Sequence, residues 1–302
     1  MDELGRVGLR ALVELARRGS IAAVAEDTGY TAGAVSQQIA RLESVVGHPL
    51  TVRSGRGVRL TDVGRVLAEE AVAVLRAEEA ALAAARAART EVRGQLRIGV
   101  FGSTAATLLA PLVLRSAQVH PGLRLTSREV DVDDTAAAVR RGEVDVAFGV
   151  EYPDAPMPRR PETELVPLLT ERFALAVSPE VPGPGRTTLS AAARWPWILT
   201  PACTPFGAAV RNACRSAGFE PDVLHEVTDT SAALLLAGRG LGVTPVTPLM
   251  RRLGTEPVRV LELDDVVERR IVLVRHRADA GRATVRALTE VLRAVTAEEP
   301  VG

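Results

Sequence analysis

Lysine is missing from this chain: all 37 basic residues are arginine, and asparagine occurs once, at Asn212. Without an amine there can be no Schiff-base catalysis and no P-loop lysine on a nucleotide phosphate. Cysteine is scarce as well. Cys203 and Cys214 are too few for a secreted disulfide framework and suit a reducing compartment. No stretch approaches the roughly 18 uninterrupted apolar residues of a membrane span. The first thirty residues carry Asp2, Glu3, Glu14, Glu26 and Asp27, unlike a secretory signal. A cytoplasmic protein with no membrane partner is expected. The histidines His48, His120, His225 and His276 show no metal-ligand spacing among themselves or with the cysteines, and no G-x-S-x-G elbow is present. Cys203 and His225 could be drawn as nucleophile and base, but nothing in the sequence orients one to the other. The expectation is therefore no enzyme, no bound metal and no cofactor.

What is present is an ordinary globular composition. The 302 residues are 47% apolar and 25% charged, with 37 basic residues balancing 37 acidic ones. That length argues for two domains rather than one. A neutral total does not advertise nucleic acid, although a local patch can hide inside it.

Three regions separate along the chain, with boundaries expected at 1–60, 61–93 and 94–302. The middle region lacks proline and is rich in Ala, Glu and Arg. Apolar residues recur every seven positions at Leu60, Leu67, Val74, Ala81 and Ala88, while Glu69, Glu70, Arg76, Glu78, Glu79 and Arg86 take other faces. This predicts a long helix with a small-residue seam, suited to pairing. The third region holds all but one of the 19 prolines, Pro49 being the exception. Strands are predicted at 96–101, 123–130, 144–150, 173–177, 258–263 and 271–274. Helices are predicted at 104–119, 134–141, 206–217, 231–238 and 282–296. Such alternation indicates an α/β domain with largely parallel sheets, and its size suggests two lobes sharing a cleft.

The sharpest local signal begins at Ser20, which can cap a short helix over 21–28. Gly29 turns the chain, and Thr31 caps a second helix running to about Val46. There Val35, Ile39, Leu42, Val45 and Val46 form the apolar stripe, leaving Ala32, Gly33, Ser36, Gln37, Gln38 and Arg41 outside it. Two helices joined by a tight glycine turn have the form of a helix-turn-helix, and periodicity alone allows a plain helical hairpin equally. The next segment, LTVRSGRGVRLT at 50–61, predicts a β-hairpin carrying Arg53, Arg56 and Arg59 and no acidic residue. Three positive charges beside a recognition helix would position it on phosphates.

The run GSIAAVAEDTGYTAGAVSQQIARLESVVGHPLTVRSGRGVRLTDVG, residues 19–64, resembles the winged helix-turn-helix of LysR-type transcriptional regulators. GQLRIGV at 94–100, HPGLRL at 120–125, RGEVDVAFG at 141–149 and AGRGLGVTPV at 237–246 are similar to that family's effector domain. The resemblance implies an N-terminal, mainly α winged helix-turn-helix, a long linker helix, and an α/β effector domain of two lobes resembling periplasmic solute-binding proteins. It also implies double-stranded DNA and a small-molecule effector as partners, in a homodimer or homotetramer. Carried over residue by residue, it implies DNA contacts from Thr31, Ala32, Gly33, Ser36, Gln37, Arg53 and Arg56. Two positions depart from the family: Ala32, where Gln is frequent, cannot make a bidentate adenine contact. Thr51, where Phe is frequent, is expected to leave the wing less firmly packed.

The expected effector site follows the strand ends. Gly102, Ser103 and Thr104 open a helix, so backbone N–H groups and two hydroxyls would converge on a carboxylate or other anion, although a plain helix cap explains Ser103 equally well. Val150 ends another strand, and Thr200, Thr204 and Phe206 occupy the corresponding place on the second lobe. Glu151 is expected as a solvated strand end. Two other functions remain open: a thiol-based redox sensor using Cys203 and Cys214, as in peroxide-sensing members of the family, and a small-molecule binding protein that does not bind DNA.

Overall fold

The computed structural model of the chain describes residues 4–54, 57–87 and 92–298. These form two compact units. The first comprises the N-terminal segment through Ala87 together with Arg140–Glu143 and His276–Ala283, and the second comprises the rest.

In the first unit, helices α1 (Arg6–Arg18), α2 (Ile21–Thr28) and α3 (Ala32–Val46) precede a hairpin of β1 (Thr51–Ser54) and β2 (Gly57–Leu60), and α4 (Asp62–Ala87) follows. The helix boundaries are local chemistry. Ser20 Oγ accepts the N–H of Ala23 at 3.2 Å and Thr31 Oγ1 that of Ala34 at 3.1 Å. Each hydroxyl satisfies one of the first-turn donors that a helix leaves unpaired. Gly29 and Gly47 close α2 and α3 at φ 71° and 72°, a left-handed conformation that glycine adopts without a Cβ clash. Leu9, Leu12, Val13, Leu42, Leu50, Ala68, Ala71 and Val72 share one core between α1, α3 and α4.

The seam expected along the linker helix is partly displaced. Leu60 belongs to β2 rather than to α4, and Ala88 lies outside the described residues. Ala68, Ala71, Val72 and Leu75 pack against the core, whereas Val63, Val66, Val74, Ala77 and Ala81 are exposed along a different face. Arg76, expected on a face away from the seam, is buried, and its Nη1 lies 2.6 Å from Oδ2 of Asp279 in the same unit.

The second unit contains β3 (Gly94–Val100), α5 (Gly102–Thr107), α6 (Leu109–Val119), β4 (Leu123–Glu129), α7 (Thr135–Arg140), β5 (Val146–Glu151) and β6 (Thr163–Arg172). It continues with β7 (Ala174–Val177), β8 (Arg186–Thr187), α8 (Leu189–Ala192), β9 (Trp197–Leu199), α9 (Pro205–Ser216), β10 (Val223–Glu226) and α10 (Thr230–Gly238). The last elements are β11 (Thr244–Val246), α11 (Pro248–Arg251), β12 (Arg259–Leu263), β13 (Glu268–His276) and α12 (Ala283–Ala297). A five-stranded sheet of order β4-β3-β5-β13-β6 forms the first lobe. A four-stranded sheet of order β11-β7-β12-β8 and the pair β10-β9 form the second.

The sheets are mixed rather than largely parallel. Strands β3, β4 and β5 run parallel, as do β9 and β10, but β13 returns antiparallel to β5, and β7 is antiparallel to both β11 and β12. The chain crosses between lobes twice, from β6 to β7 and from β12 to β13. The two crossings are tied where the N–H of Phe173 donates to the carbonyl of Val267 at 2.8 Å. The helix expected over 104–119 is instead two helices that part at Leu108. Pro111 has no N–H to offer the carbonyl four residues back, so the helix is interrupted there. Strand β6 was not predicted: it contains Pro167, which a sheet tolerates at an edge, and β6 is the edge strand.

Candidate functional site

In the first unit the start of α3 lies open. Thr31, Ala32, Gly33, Ser36 and Gln37 are all exposed, while Val35, Ile39 and Leu42 hold the opposite face in the core. Strand β1 pairs antiparallel with β2, setting Thr51 opposite Leu60, Val52 opposite Arg59 and Arg53 opposite Val58. Side chains alternate faces along a strand, so Arg53 and Arg59 leave the hairpin on opposite sides, and both are exposed. Arg56 lies outside the described residues.

The loose wing expected from Thr51 is not found. One carboxylate oxygen of Glu43, on α3, accepts from Leu50 N at 2.8 Å, from Thr51 N at 3.0 Å and from Thr51 Oγ1 at 3.0 Å. Threonine thus anchors the wing to the recognition helix by hydrogen bonding where a phenylalanine would do so by packing. Thr61 holds the far end: its hydroxyl donates to Pro49 O at 2.8 Å and accepts Gly64 N at 3.0 Å. A Cβ on Gly64 would stand 2.1 Å from the carbonyl oxygen of Leu50, so only glycine permits this approach.

In the second unit a cleft of about 590 Å³ opens between the lobes. Its lining comes from chain segments that leave the ends of parallel strands. Phe101, Gly102 and Ser103 follow β3, Glu129 to Asp133 follow or end β4, and Val150 and Tyr152 lie at the end of β5. Thr200, Thr204 and Phe206 follow β9, and Thr228 to Ser231 follow β10. This is where open α/β sheets place ligands. Of the six expected effector residues, Ser103, Val150, Thr200, Thr204 and Phe206 line the cleft together. Thr104 does not. It is fully buried, and its hydroxyl accepts Phe101 N at 3.1 Å and donates to Phe101 O at 2.9 Å, capping α5 from behind. Glu151 is neither solvated nor in the cleft; it is buried and pairs with Arg159 at 3.0 Å.

The cleft also holds groups that the sequence did not single out. Arg269, on β13, lines it and pairs with Glu171 at 2.7 Å, with side chains only 5% and 4% exposed. The same guanidinium reaches Ser103 Oγ at 3.3 Å. Tyr152 stacks on Phe206 with ring centroids 5.9 Å apart, and Phe206 stacks on Phe173 at 5.5 Å. Burial pushes the Tyr152 hydroxyl up to about 12, with Arg269 opposing, so it stays a neutral hydrogen-bonding group. Asp133 is raised above the ordinary carboxylate value by burial and by the neighbouring Asp131.

The two cysteines are free thiols, Cys203 exposed and Cys214 buried. Burial, reinforced by Glu220, pushes Cys214 up to about 12, which keeps it protonated and unreactive near neutrality. Among the described residues no cluster of three or more His, Cys, Asp or Glu could hold a metal ion. No described helix is long and apolar enough to cross a membrane.

Comparison with known proteins decides what this pair of structures represents. Residues 89–297 match the LysR substrate binding domain, and residues 8–65 match the bacterial regulatory helix-turn-helix protein, lysR family. The chain belongs to the LysR family. It is a DNA-binding transcriptional regulator with an effector-binding domain, and members of this family bind DNA and small-molecule effectors as oligomers. The probable cat1 operon transcriptional activator of Acinetobacter lwoffii is 29% identical, covering 96% of each chain. A probable hydrogen peroxide-inducible genes activator of Mycobacterium avium is 30% identical over 82% of this chain and 81% of its own length. Among solved structures, a full-length OxyR variant from Pseudomonas aeruginosa superposes with a TM-score of 0.82 at 19% identity, covering 100% of this chain and 97% of that one. Full-length CbnR in complex with its target DNA superposes at 0.58 and 22% identity, covering 97% and 99%. Both share this LysR regulator's fold.

Proposed function

We propose that this LysR-type regulator reads duplex DNA through Thr31, Ala32, Gly33, Ser36 and Gln37 at the start of α3, with Arg53 and Arg56 of the wing on the phosphates. The observation that carries this is the exposure of that helix start beside a wing hairpin containing no acidic residue. A recognition helix enters the major groove by its N-terminal residues, and flanking arginines position it without reading sequence. Ala32 offers only a methyl, which suits a thymine methyl rather than an adenine edge.

The functional division follows residues 1–60 for DNA, 61–93 for pairing and 94–302 for the effector. Pairing of two copies along α4 is supported by the apolar stripe of Val63, Val66 and Val74, which stays 42%, 63% and 53% exposed. A protein working on DNA in this way acts in the cytoplasm and catalyses nothing. Effector contact falls to Ser103, Val150, Thr200, Thr204 and Phe206, with Thr104 fixing the backbone behind Ser103. For occupancy to change transcription, the effector must bind one arrangement of the assembled copies more tightly than another.

A mobility-shift titration against duplex DNA from upstream of the chain's own reading frame tests the assignment. Wild-type protein gives a retarded complex that scrambled DNA of equal length does not compete away. Ser36→Asp, which sets a carboxylate against the groove without touching the core, abolishes it. A complex that survives Ser36→Asp unchanged would leave DNA reading to some other surface.

A further inference from the structure

We propose that the cleft of the second unit takes an organic cation: a protonated amine carried on an aromatic or apolar body, rather than the carboxylate-bearing effector that the helix start at Gly102 suggests. This inference rests on the cleft being the effector site.

The charge of the lining is one-sided. Glu129, Asp131, Asp133 and Asp229 all border the cleft, against a single guanidinium, that of Arg269. Arg269 brings its charge already neutralised. It is already paired with the buried Glu171 at 2.7 Å, and the second oxygen of Glu171 accepts Leu249 N at 2.7 Å. None of the four bordering carboxylates has a basic partner among the described residues. An incoming anion would face four negative charges, all of them exposed along the opening, and their summed field repels it to a degree that falls as salt rises. An incoming ammonium supplies the missing countercharge.

The helix ends give an anion little to hold. Helix α9 begins with Pro205, which has no N–H, and Thr204 Oγ1 already accepts Gly207 N at 3.0 Å. Helix α10 is capped by the carboxylate of Asp229, which accepts Ala232 N at 2.8 Å. Helix α5 is six residues long, too short to build a useful dipole.

Hydrogen-bond polarity agrees. The hydroxyl of Thr204 donates its only proton to Pro201 O at 2.8 Å. Its 2.9 Å contact with Thr200 Oγ1 therefore takes its proton from Thr200. That leaves Thr200 facing the cleft as an acceptor only, ready for a ligand N–H. The opposite requirement, an apolar body, is met by Phe206 and Tyr152, stacked on each other within the lining, with Val130, Val132, Val150, Met250 and Leu253 around them. Aromatic faces also attract cations. A metal ion is a poor alternative occupant, since no group of three or more described ligand side chains converges on one point.

The test is a matched series in which the phenylethyl body stays fixed and the head group changes from cation to anion to neutral. Full-length protein is titrated by calorimetry with 2-phenylethylamine, with 3-phenylpropionate and with 2-phenylethanol. The amine binds at least about tenfold more tightly than the acid, and increasing salt narrows the difference. In the double variant Asp131→Asn, Asp133→Asn, whose side chains keep their size, the amine loses about tenfold and the acid does not. Thermal unfolding of the unliganded variant confirms that it folds. Tighter binding of the acid would overturn the inference while leaving the cleft as the effector site. No binding by any of the three would overturn it and count against the cleft as well, and an amine affinity unchanged in the double variant would place the cation elsewhere.

Discussion

Arg269 and Glu171, 98 residues apart in the chain, meet at 2.7 Å with their side chains almost wholly buried. Glu171 stands near the end of β6 and Arg269 at the start of β13, the strands by which the chain leaves and re-enters the first lobe. Through Leu249 N the same carboxylate also holds α11 of the second lobe. The pair thus ties both lobes together at the base of the cleft. Glu171→Gln leaves a buried guanidinium without its countercharge, and a loss of about 3–5 kcal/mol is expected. Both tryptophans, Trp195 and Trp197, lie in this unit, so tryptophan fluorescence in a urea titration reads it directly. Replacing both partners, as in Glu171→Leu with Arg269→Met, should cost less than either single change.

Asp133 offers a test by pH. Its folded-state value is raised above 3.8 by burial and by Asp131, so the folded protein holds this proton more firmly than the unfolded chain does. Stability from this group is greatest below the unfolded value and declines as pH rises through the folded one. At neutral pH the ionised side chain therefore opposes folding. Asp133→Asn should melt higher than wild type at pH 7, and the advantage should vanish at acidic pH. The groups facing Asp133 are Asp131 and Tyr152, with Arg269, Glu129 and Asp229 in the same lining, so the scan is repeated in Asp131→Asn to isolate the first of them.

Glu43→Ala removes three hydrogen bonds from the junction of α3 and the wing and leaves the N–H groups of Leu50 and Thr51 without that partner. A stability loss of about 1–3 kcal/mol in the first unit is expected. DNA affinity should fall about tenfold as the wing arginines lose their placement. Ligand-induced change in tryptophan fluorescence should stay at the wild-type level. Arg53→Ala acts differently: it should weaken binding to all duplexes alike and reduce the slope of log affinity against log salt by about one.

Gly64→Ala forces a methyl to within 2.1 Å of a backbone oxygen. Neither α4 nor the wing can yield without breaking the Thr61 contacts, so a loss of about 3 kcal/mol is expected. Helical circular dichroism should melt at a lower temperature, with the tryptophan transition unmoved.

The thiols separate the effector mechanism from a redox one. Cys203 is exposed while Cys214 is buried and raised to about 12. Iodoacetamide should label Cys203 in the native protein and reach Cys214 only on unfolding. Cys203→Ser should leave the response to a cleft ligand intact. Oxidant-dependent DNA binding that disappears in Cys203→Ser would restore the redox reading.

What the sequence disclosed, and what it hid, follows the range of the interactions. Ser20, Gly29 and Thr31 act within four residues of themselves, so the helix-turn-helix boundaries could be read directly. The strand ends carrying Ser103, Thr200 and Phe206 were equally legible, because a helix start after a buried strand is a local pattern. Arg269 and Glu171 are not: each looks like one more charge on an alternating strand, and only the folded sheet brings them together. The role of Glu43 was hidden for the same reason, its partners lying seven and eight residues away across a turn. The acidic run after β4, EVDVDD at 129–134, was a usable signal, since it falls where a parallel strand delivers side chains to a ligand.

Hydroxyl-radical footprinting on the upstream duplex is the most direct measurement of how this regulator meets DNA. Paired copies presenting α3 to successive turns of the major groove should protect two tracts about one helical turn, or a whole multiple of it, apart. Both tracts should vanish together with Ser36→Asp while the protein's melting curve is unchanged. Protection that persists in that variant, or cleavage that stays uniform with the wild-type protein at saturating concentration, would contradict the account.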